Sequence, residues 1–275
     1  MSICRLCQNE NVTLKNSHIV SKMFYNVIKD KSITGIMRAN TNPNKGVQDG
    51  IKIPFLCEKC EELFSKYETY FSKKVYEQTV NNDGNIIFNS RDDNIAYFLL
   101  SISWRVIKYL IDDDEKNNTM NLSQNEKEKL NQILEKWRIL LITENMSEIR
   151  KIQQFIIPTQ KLTFFESNEH RIHSNVGYNF KTFDNEDSFN FAFSFVQVPY
   201  FIFITTVWGK TNSMKSYQLG KQIKPCKSTL PKHITELLFQ HHVIDFEEAY
   251  NNTTEKQKRI IEDRVNSKIK NCLPK

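Results

Sequence analysis

Two identically spaced cysteine pairs, Cys4-x-x-Cys7 and Cys57-x-x-Cys60, constrain what this chain can fold into more than any other feature. A Cys-x-x-Cys turn brings two thiolates to one tetrahedral ion at about 2.3 Å, and two such turns fill the coordination sphere. The pairs therefore predict a single structural zinc held by Cys4, Cys7, Cys57 and Cys60, with no open position for chemistry. The remaining two of the six cysteines, Cys226 and Cys272, are single and distant. A disulfide framework is not expected, because no secretory signal opens the sequence and 275 residues can bury a core without covalent staples. This reading implies a reducing, cytoplasmic compartment.

With 39% hydrophobic and 25% charged residues, the chain has the make-up of a folded protein rather than a disordered one. Its most apolar run, Ile95 to Trp104, is followed by Arg105 and Lys108. It falls far short of the roughly 18–20 apolar residues that span a bilayer, so it reads as a buried helix and no membrane partner is expected. The net charge of +6 is uneven: residues 1–80 carry +4 of it and the other 195 residues +2. The positive excess sits with the cysteine pairs, as suits a phosphate-backbone partner.

Along the chain, a zinc-knuckle turn is expected before a short strand at Val12–Leu14. Ser17 is placed to cap a helix through Ile19, Met23, Phe24, Val27 and Ile28, whose apolar residues recur at three and four. The segment Asn40–Gly50 is rich in turn residues and reads as an exposed loop. Cys60, Phe64, Tyr67 and Phe71 recur at helical spacing and predict a helix over about Glu58–Gln78, with Glu61, Ser65, Glu68 and Ser72 on a polar face beside them. The break at Asn81–Asn85 divides an N-terminal module, residues 1–80, from a larger region, residues 81–275. That region should hold helices over about Asp93–Ile111 and Ser123–Thr143. Strands are expected near Gln154–Ile157, Lys161–Phe165, Val176–Phe180, Phe189–Phe195 and Tyr200–Val207, and helices over about Pro231–Tyr250 and Thr253–Asn271. The fold class is α+β.

The order knuckle, strand ending in His18, loop, then a helix opening with the second knuckle is that of a treble clef. In Cys4-x-x-Cys7, Ser17-His18-Ile19-Val20, the Asn40–Gly50 loop and Leu56-Cys57-x-x-Cys60-Glu61 the sequence resembles the HNH endonuclease superfamily, whose module is a ββα-metal fold. Gln48-Asp49-Gly50, the Phe64-Ser65-Lys66-Tyr67-Glu68 run and Ser101–Arg105 also resemble a group of uncharacterised bacterial HNH-like proteins. The resemblance implies metal-dependent hydrolysis of DNA phosphodiester bonds, with RNA as another substrate of the same site, in a bacterial defence or toxin effector restrained by a protein partner or trigger.

It further implies roles. His18 would be the general base, Asn44 would orient its ring, and Glu61 with Asp49 would hold Mg2+ or Mn2+, carboxylates being the ligands such hard cations prefer. Lys22, Arg38, Lys45 and Lys52 would hold phosphates. Two departures from the superfamily pattern, Ser17 before the histidine and Glu61 at the helix position, favour the other reading, a non-catalytic zinc-stabilised module that binds nucleic acid or protein. His170-x-x-His173 reads as a solvated loop, and His241-His242 and the alternating Phe191, Phe193 and Phe195 read as structural. No glycine-rich phosphate loop, GxSxG elbow or dinucleotide fingerprint occurs, which excludes energy-coupled and redox chemistry of those kinds.

Overall fold

The computed structural model describes residues 2–32, 34–117, 119–120, 122–162, 164, 175–183, 191–227 and 230–272. Thr163 and Phe165 of the strand expected at Lys161–Phe165, and the His170-x-x-His173 segment, lie outside these residues; Lys161, Leu162 and Phe164 form no strand. The fold is mixed α+β, with the cysteine cluster near its N-terminus.

The N-terminal module is built on a hairpin. Strand β1 (Leu14–His18) pairs antiparallel with β4 (Lys52–Cys57), so that Leu14 faces Cys57 and His18 faces Lys52. Between them lie α1 (Lys22–Lys31) and a second hairpin of β2 (Met37–Ala39) and β3 (Asn42–Val47). Ser17 is a strand residue and not a cap. Its buried hydroxyl accepts from the Leu56 N–H at 3.3 Å, and Ser21 stands at the N-terminus of α1 instead. The Asn40–Gly50 segment is half strand, because Asn42–Val47 pairs with Met37–Ala39.

Helix α2 (Glu58–Phe71) begins directly after the second knuckle and continues through a π-turn, Ser72–Tyr76, into α3 (Glu77–Asn81). Its buried face is Cys60, Phe64, Tyr67 and Phe71, the spacing the sequence predicts. After the short β5 (Phe88–Asn89) comes α4 (Asp93–Asn117), in which every residue from Ile95 to Ile107 is buried. Helix α5 (Gln124–Ile142) opens with a capping box between Ser123 and Glu126 and is pinned to α4 by the Trp104 Nε1–H donated to Leu134 O at 3.2 Å. Helix α6 (Met146–Ile149) is a single turn.

Strands β6 (Gln154–Pro158), β7 (Gly177–Phe183), β8 (Phe191–Val198) and β9 (Phe201–Trp208) form an antiparallel sheet in the order β6-β9-β8-β7. All eight residues of β8 are buried, so both faces of the sheet are covered. Alternation sends Ala192, Val196 and Val198 toward the core shared with α4, and Phe193 and Phe195 toward a second cluster. That second face is covered by α7 (Lys232–Phe239) through Ile234, Leu237 and Leu238. The short β10 (Gln222–Ile223) pairs with β5. A π-turn, Gln240–Ile244, leads into α8 (Asp245–Asn251), and α9 (Glu255–Cys272) ends the described chain.

The boundary expected at Asn81–Asn85 falls at the end of α3, yet the apolar core does not divide there. Phe24 and Phe71 of the N-terminal module pack on Phe98 of α4 and Phe203 of β9, with the Phe71 and Phe98 rings stacked 4.3 Å apart. The knuckle is buttressed by the same region: Arg138 of α5 donates to Leu6 O at 2.6 Å, and Arg5 pairs with Asp112 at 3.0 Å. No helix among the described residues is long and apolar enough to cross a membrane.

Candidate functional site

The four cysteines meet as the spacing predicts. Their sulfur atoms all lie within 4.8 Å of one another, with Cys7 Sγ 3.7 Å from Cys57 Sγ. Four thiolates at about 2.3 Å from a tetrahedral ion would be about 3.8 Å apart, so the cluster has the dimensions of a zinc site. Cys4 is the thiol best placed to ionise, whereas the hydrogen bond to Cys4 raises the Cys60 pKa and burial raises that of Cys7. The Cys60 thiol and the Cys57 N–H, the latter at 3.2 Å from Cys4 Sγ, bring the Cys4 pKa down to about 4. All four ligand positions are taken by protein, so a zinc here ties the start of the chain to the β4–α2 junction.

His18 stands at the far end of the same hairpin. From the Leu14–Cys57 pair to the level of His18 are four strand steps, about 13 Å. Helix α2 returns alongside at about 1.5 Å per residue, so Glu61 is only about 6 Å along it, whereas Glu68 is about 16 Å along. The carboxylate level with His18 is therefore Glu68. Its Oε2 accepts from the Ser21 hydroxyl at 2.9 Å, and its Oε1 meets Arg105 Nη2 at 2.5 Å. Arg105, 2% exposed, also donates through Nη1 to the His18 carbonyl at 3.0 Å. Glu68 and Arg105 thus clamp the end of β1 and the start of α1 onto α2 and α4.

Asp49 lies on the other side of His18. Its Oδ2 is 3.8 Å from His18 Nε2 and 3.0 Å from Lys52 Nζ, and its Oδ1 is 3.7 Å from Lys29 Nζ. The Lys52 hydrogen bond is the largest cause holding the Asp49 carboxyl below its ordinary range. Burial lowers the His18 pKa below 6.5 despite the opposing pull of Asp49, so the imidazole is neutral at pH 7. Two buried atoms in this cluster, His18 Nε2 and Asp49 Oδ1, have no hydrogen-bond partner among the described residues. Helix spacing explains the lysines: Lys22, Tyr25 and Lys29 share one face of α1, and Lys22 bears on both His18 and Asp49. Gly50 is required here, because a Cβ on it would fall 2.0 Å from Tyr25 Cζ.

Several expected assignments are corrected. Asn44 does not orient His18: its amide accepts from the Thr254 N–H at 2.8 Å and donates to Asn252 O at 2.9 Å, because the β2–β3 hairpin leans on the α8–α9 turn. Arg38 shares that hairpin, donating to Pro43 O at 2.8 Å, and Lys45 is exposed on it. Of the four expected phosphate ligands, only Lys22 and Lys52 are at His18. Glu61 is half-buried, makes no side-chain hydrogen bond or ion pair among the described residues, and sits too near the knuckle to share an ion with Asp49. The cysteine cluster is the only set of three or more histidine, cysteine or acidic groups close enough to hold an ion among the described residues. Asp49 and Glu61 are not part of any such cluster, and Ser17, turned into the core, adds no ligand.

The sequence reading gave no site role to Arg105 or Lys29 and placed Glu68 on the polar face of its helix. An arginine inside an apolar helix was the available signal, since such a residue is almost never buried without a carboxylate partner. No protein-family model, curated protein or solved structure matches this chain. What the fold and the site define is an α+β protein whose cysteine-clustered hairpin presents a half-buried histidine beside Asp49 and among lysines.

Proposed function

We propose that the chain acts on the phosphodiester backbone of nucleic acid, cleaving it with His18 as the general base, in the manner of an HNH-like endonuclease. The observation that carries this reading is the pair of unpartnered buried atoms, His18 Nε2 and Asp49 Oδ1, beside Lys22, Lys29 and Lys52. An unpaired buried polar atom costs about 1–3 kcal/mol, a cost that a water bound as the nucleophile would remove at His18 Nε2 by donating to it. Three ammonium groups stand against the Asp49 carboxylate, and Glu68 is already paired with Arg105, so the cluster carries a net positive charge, which suits a phosphate. His18 Nε2 would take a proton from the attacking water as its oxygen bonds to phosphorus; the P–O bond to the leaving strand end would break, the departing oxygen taking a proton from solvent, while the lysines would balance the charge that develops on the phosphoryl oxygens. Glu68 and Arg105 would position the strand end that carries His18.

The test is incubation of zinc-loaded protein with supercoiled plasmid and with single-stranded RNA, each with Mg2+, with Mn2+ and with EDTA, alongside a folded His18→Ala variant. Cleavage by the wild type that the variant lacks is the expected result; cleavage by both variants alike would refute the role of His18. The non-catalytic binding reading keeps a specific support of its own: both carboxylates near His18 are engaged by cations, Asp49 by Lys52 and Glu68 by Arg105. Salt-sensitive nucleic-acid binding without cleavage under every metal condition would favour it.

A further inference from the structure

A cavity of about 390 Å³ opens between the β2–β3 hairpin and helices α8 and α9, away from His18. Its volume lies in the range of small-molecule sites, roughly 300–1,000 Å³. Arg38, His241, Phe246, Tyr250, Lys258 and Glu262 are among the residues that line it. Arg38 is half-buried and spends one N–H on Pro43 O at 2.8 Å, while Nη2 is 2.9 Å from the Gln257 side-chain oxygen. Burial and the nearby Arg264 both oppose its charge, and it forms no ion pair with a carboxylate among the described residues, although Glu262 also lines the cavity. His241 directs Nδ1 to Asp245 Oδ2 at 3.0 Å and stacks on Phe195, which leaves its buried Nε2 without a partner among the described residues. With the Nδ1–H given to Asp245, that nitrogen is an acceptor waiting for a donor.

A guanidinium in no such ion pair, a lone-pair acceptor and an aromatic wall in one cavity call for a ligand with an anion, an N–H donor and a flat apolar body. We propose that this cavity binds a nucleoside monophosphate, with the phosphate on Arg38 and Lys258, an amino group of the base on His241 Nε2 and the base against Tyr250. Lys258 lies 4.7 Å from the centre of the Tyr250 ring and 2.9 Å from Glu255, so it can reach the phosphate from the rim. Glu262, on the same rim, faces the ribose hydroxyls that a monophosphate leaves free. The same chemistry is offered by a free nucleotide or by the 5′-phosphorylated end of a strand. The site does not depend on the reading of His18.

Titration calorimetry on the full zinc-loaded chain tests this, using AMP, adenosine and inorganic phosphate as separate probes. AMP should bind saturably, with adenosine and phosphate each at least about tenfold weaker, the size of effect a lost charge-assisted contact gives. Arg38→Gln should weaken AMP by about tenfold or more and leave adenosine unchanged. Tyr250→Ala, at a residue 58% exposed and so dispensable to the core, should weaken both. His18→Ala should change neither, which separates this site from the proposed nuclease centre. Competition of AMP by a 5′-phosphorylated tetranucleotide identifies a strand end as a ligand, and its absence identifies the free nucleotide. No saturable heat with AMP, or AMP binding indifferent to both Arg38→Gln and Tyr250→Ala, overturns the proposal.

Discussion

Replacing Glu68 with alanine should cost more stability than replacing Arg105 with methionine, although the two residues form one ion pair. The asymmetry follows from burial: the Arg105 side chain is 2% exposed and that of Glu68 22%. Without Glu68 the guanidinium remains in the interior over Phe64, 5.2 Å from the ring centre, with only the His18 carbonyl to meet it. Breaking a buried pair in that way costs about 3–5 kcal/mol. Without Arg105, the carboxylate keeps the Ser21 hydroxyl and turns its exposed edge to water. Methionine fills the space of the arginine stem, so the loss is roughly 1–3 kcal/mol, that of the charge-assisted hydrogen bonds. The double variant removes both charges and should be less destabilised than the sum of the two single variants. Urea denaturation of zinc-saturated protein, followed by the fluorescence of buried Trp104 and Trp137, reads all four species. With a slope of about 3 kcal/mol per molar urea, Glu68→Ala should lower the midpoint by about 1 M or more. An Arg105→Met loss equal to or larger than that of Glu68→Ala, or additivity within about 0.5 kcal/mol, would refute the clamp.

The remaining predictions concern the site and its frame. Cleavage needs neutral imidazole, so activity should rise as pH climbs through the His18 pKa, with a midpoint below 6.5 because burial lowers it. Asp49→Asn removes the charge that raises this pKa and should move the acid limb lower still, whereas a midpoint above pH 7 in the wild type would contradict the burial argument. Stripping zinc with a chelator, or Cys57→Ser, should release the metal and open the first 60 residues to limited proteolysis, since structural zinc contributes about 10–16 kcal/mol to folding in small zinc modules. An unchanged digestion pattern after verified metal loss would sink this expectation. Gly50→Ala, which drives a Cβ into the Tyr25 ring, should cost about 1–3 kcal/mol in thermal or urea unfolding, and a neutral result would show that the loop gives way. Asn44→Ala loses two exposed hydrogen bonds at the α8–α9 turn, about 1 kcal/mol, and should cleave like the wild type; loss of cleavage matching that of His18→Ala would restore the orienting role.

The parts legible in the sequence were those governed by local rules. Helices α2, α4 and α5 and strands β6 to β9 follow apolar periodicity, and their ends differ by a few residues from the expected ones. The helix start misassigned to Ser17 shows the limit of that method. A serine suits a cap or a strand equally well, and pairing with β4, which no local pattern reveals, decided for the strand. The zinc cluster was legible because both pairs bring their ligands with them, so only one long-range contact had to be inferred. The neighbours of His18 were not, because they come from α1, the β3–β4 loop, α2 and α4, and rank by distance rather than by position in the chain. Resemblance placed Glu61 at the site because it follows Cys60. The lengths of a strand and a helix running side by side placed Glu68 there instead.

The sequence by itself determined the α+β class, the four clustered thiols that could hold a metal and the single histidine at a strand end, since spacing and periodicity are properties of the chain alone. Only the tertiary structure decided that one core runs through both halves, that Arg105 reaches from α4 to the end of β1, that Asn44 bonds the α8–α9 turn and that Arg38 lines a cavity beside it. The physical reason is the same in each case. Burial, the pairing of charges and unsatisfied polar atoms are set by what lies across space, and packing brings together residues that are 37, 87 and 208 positions apart.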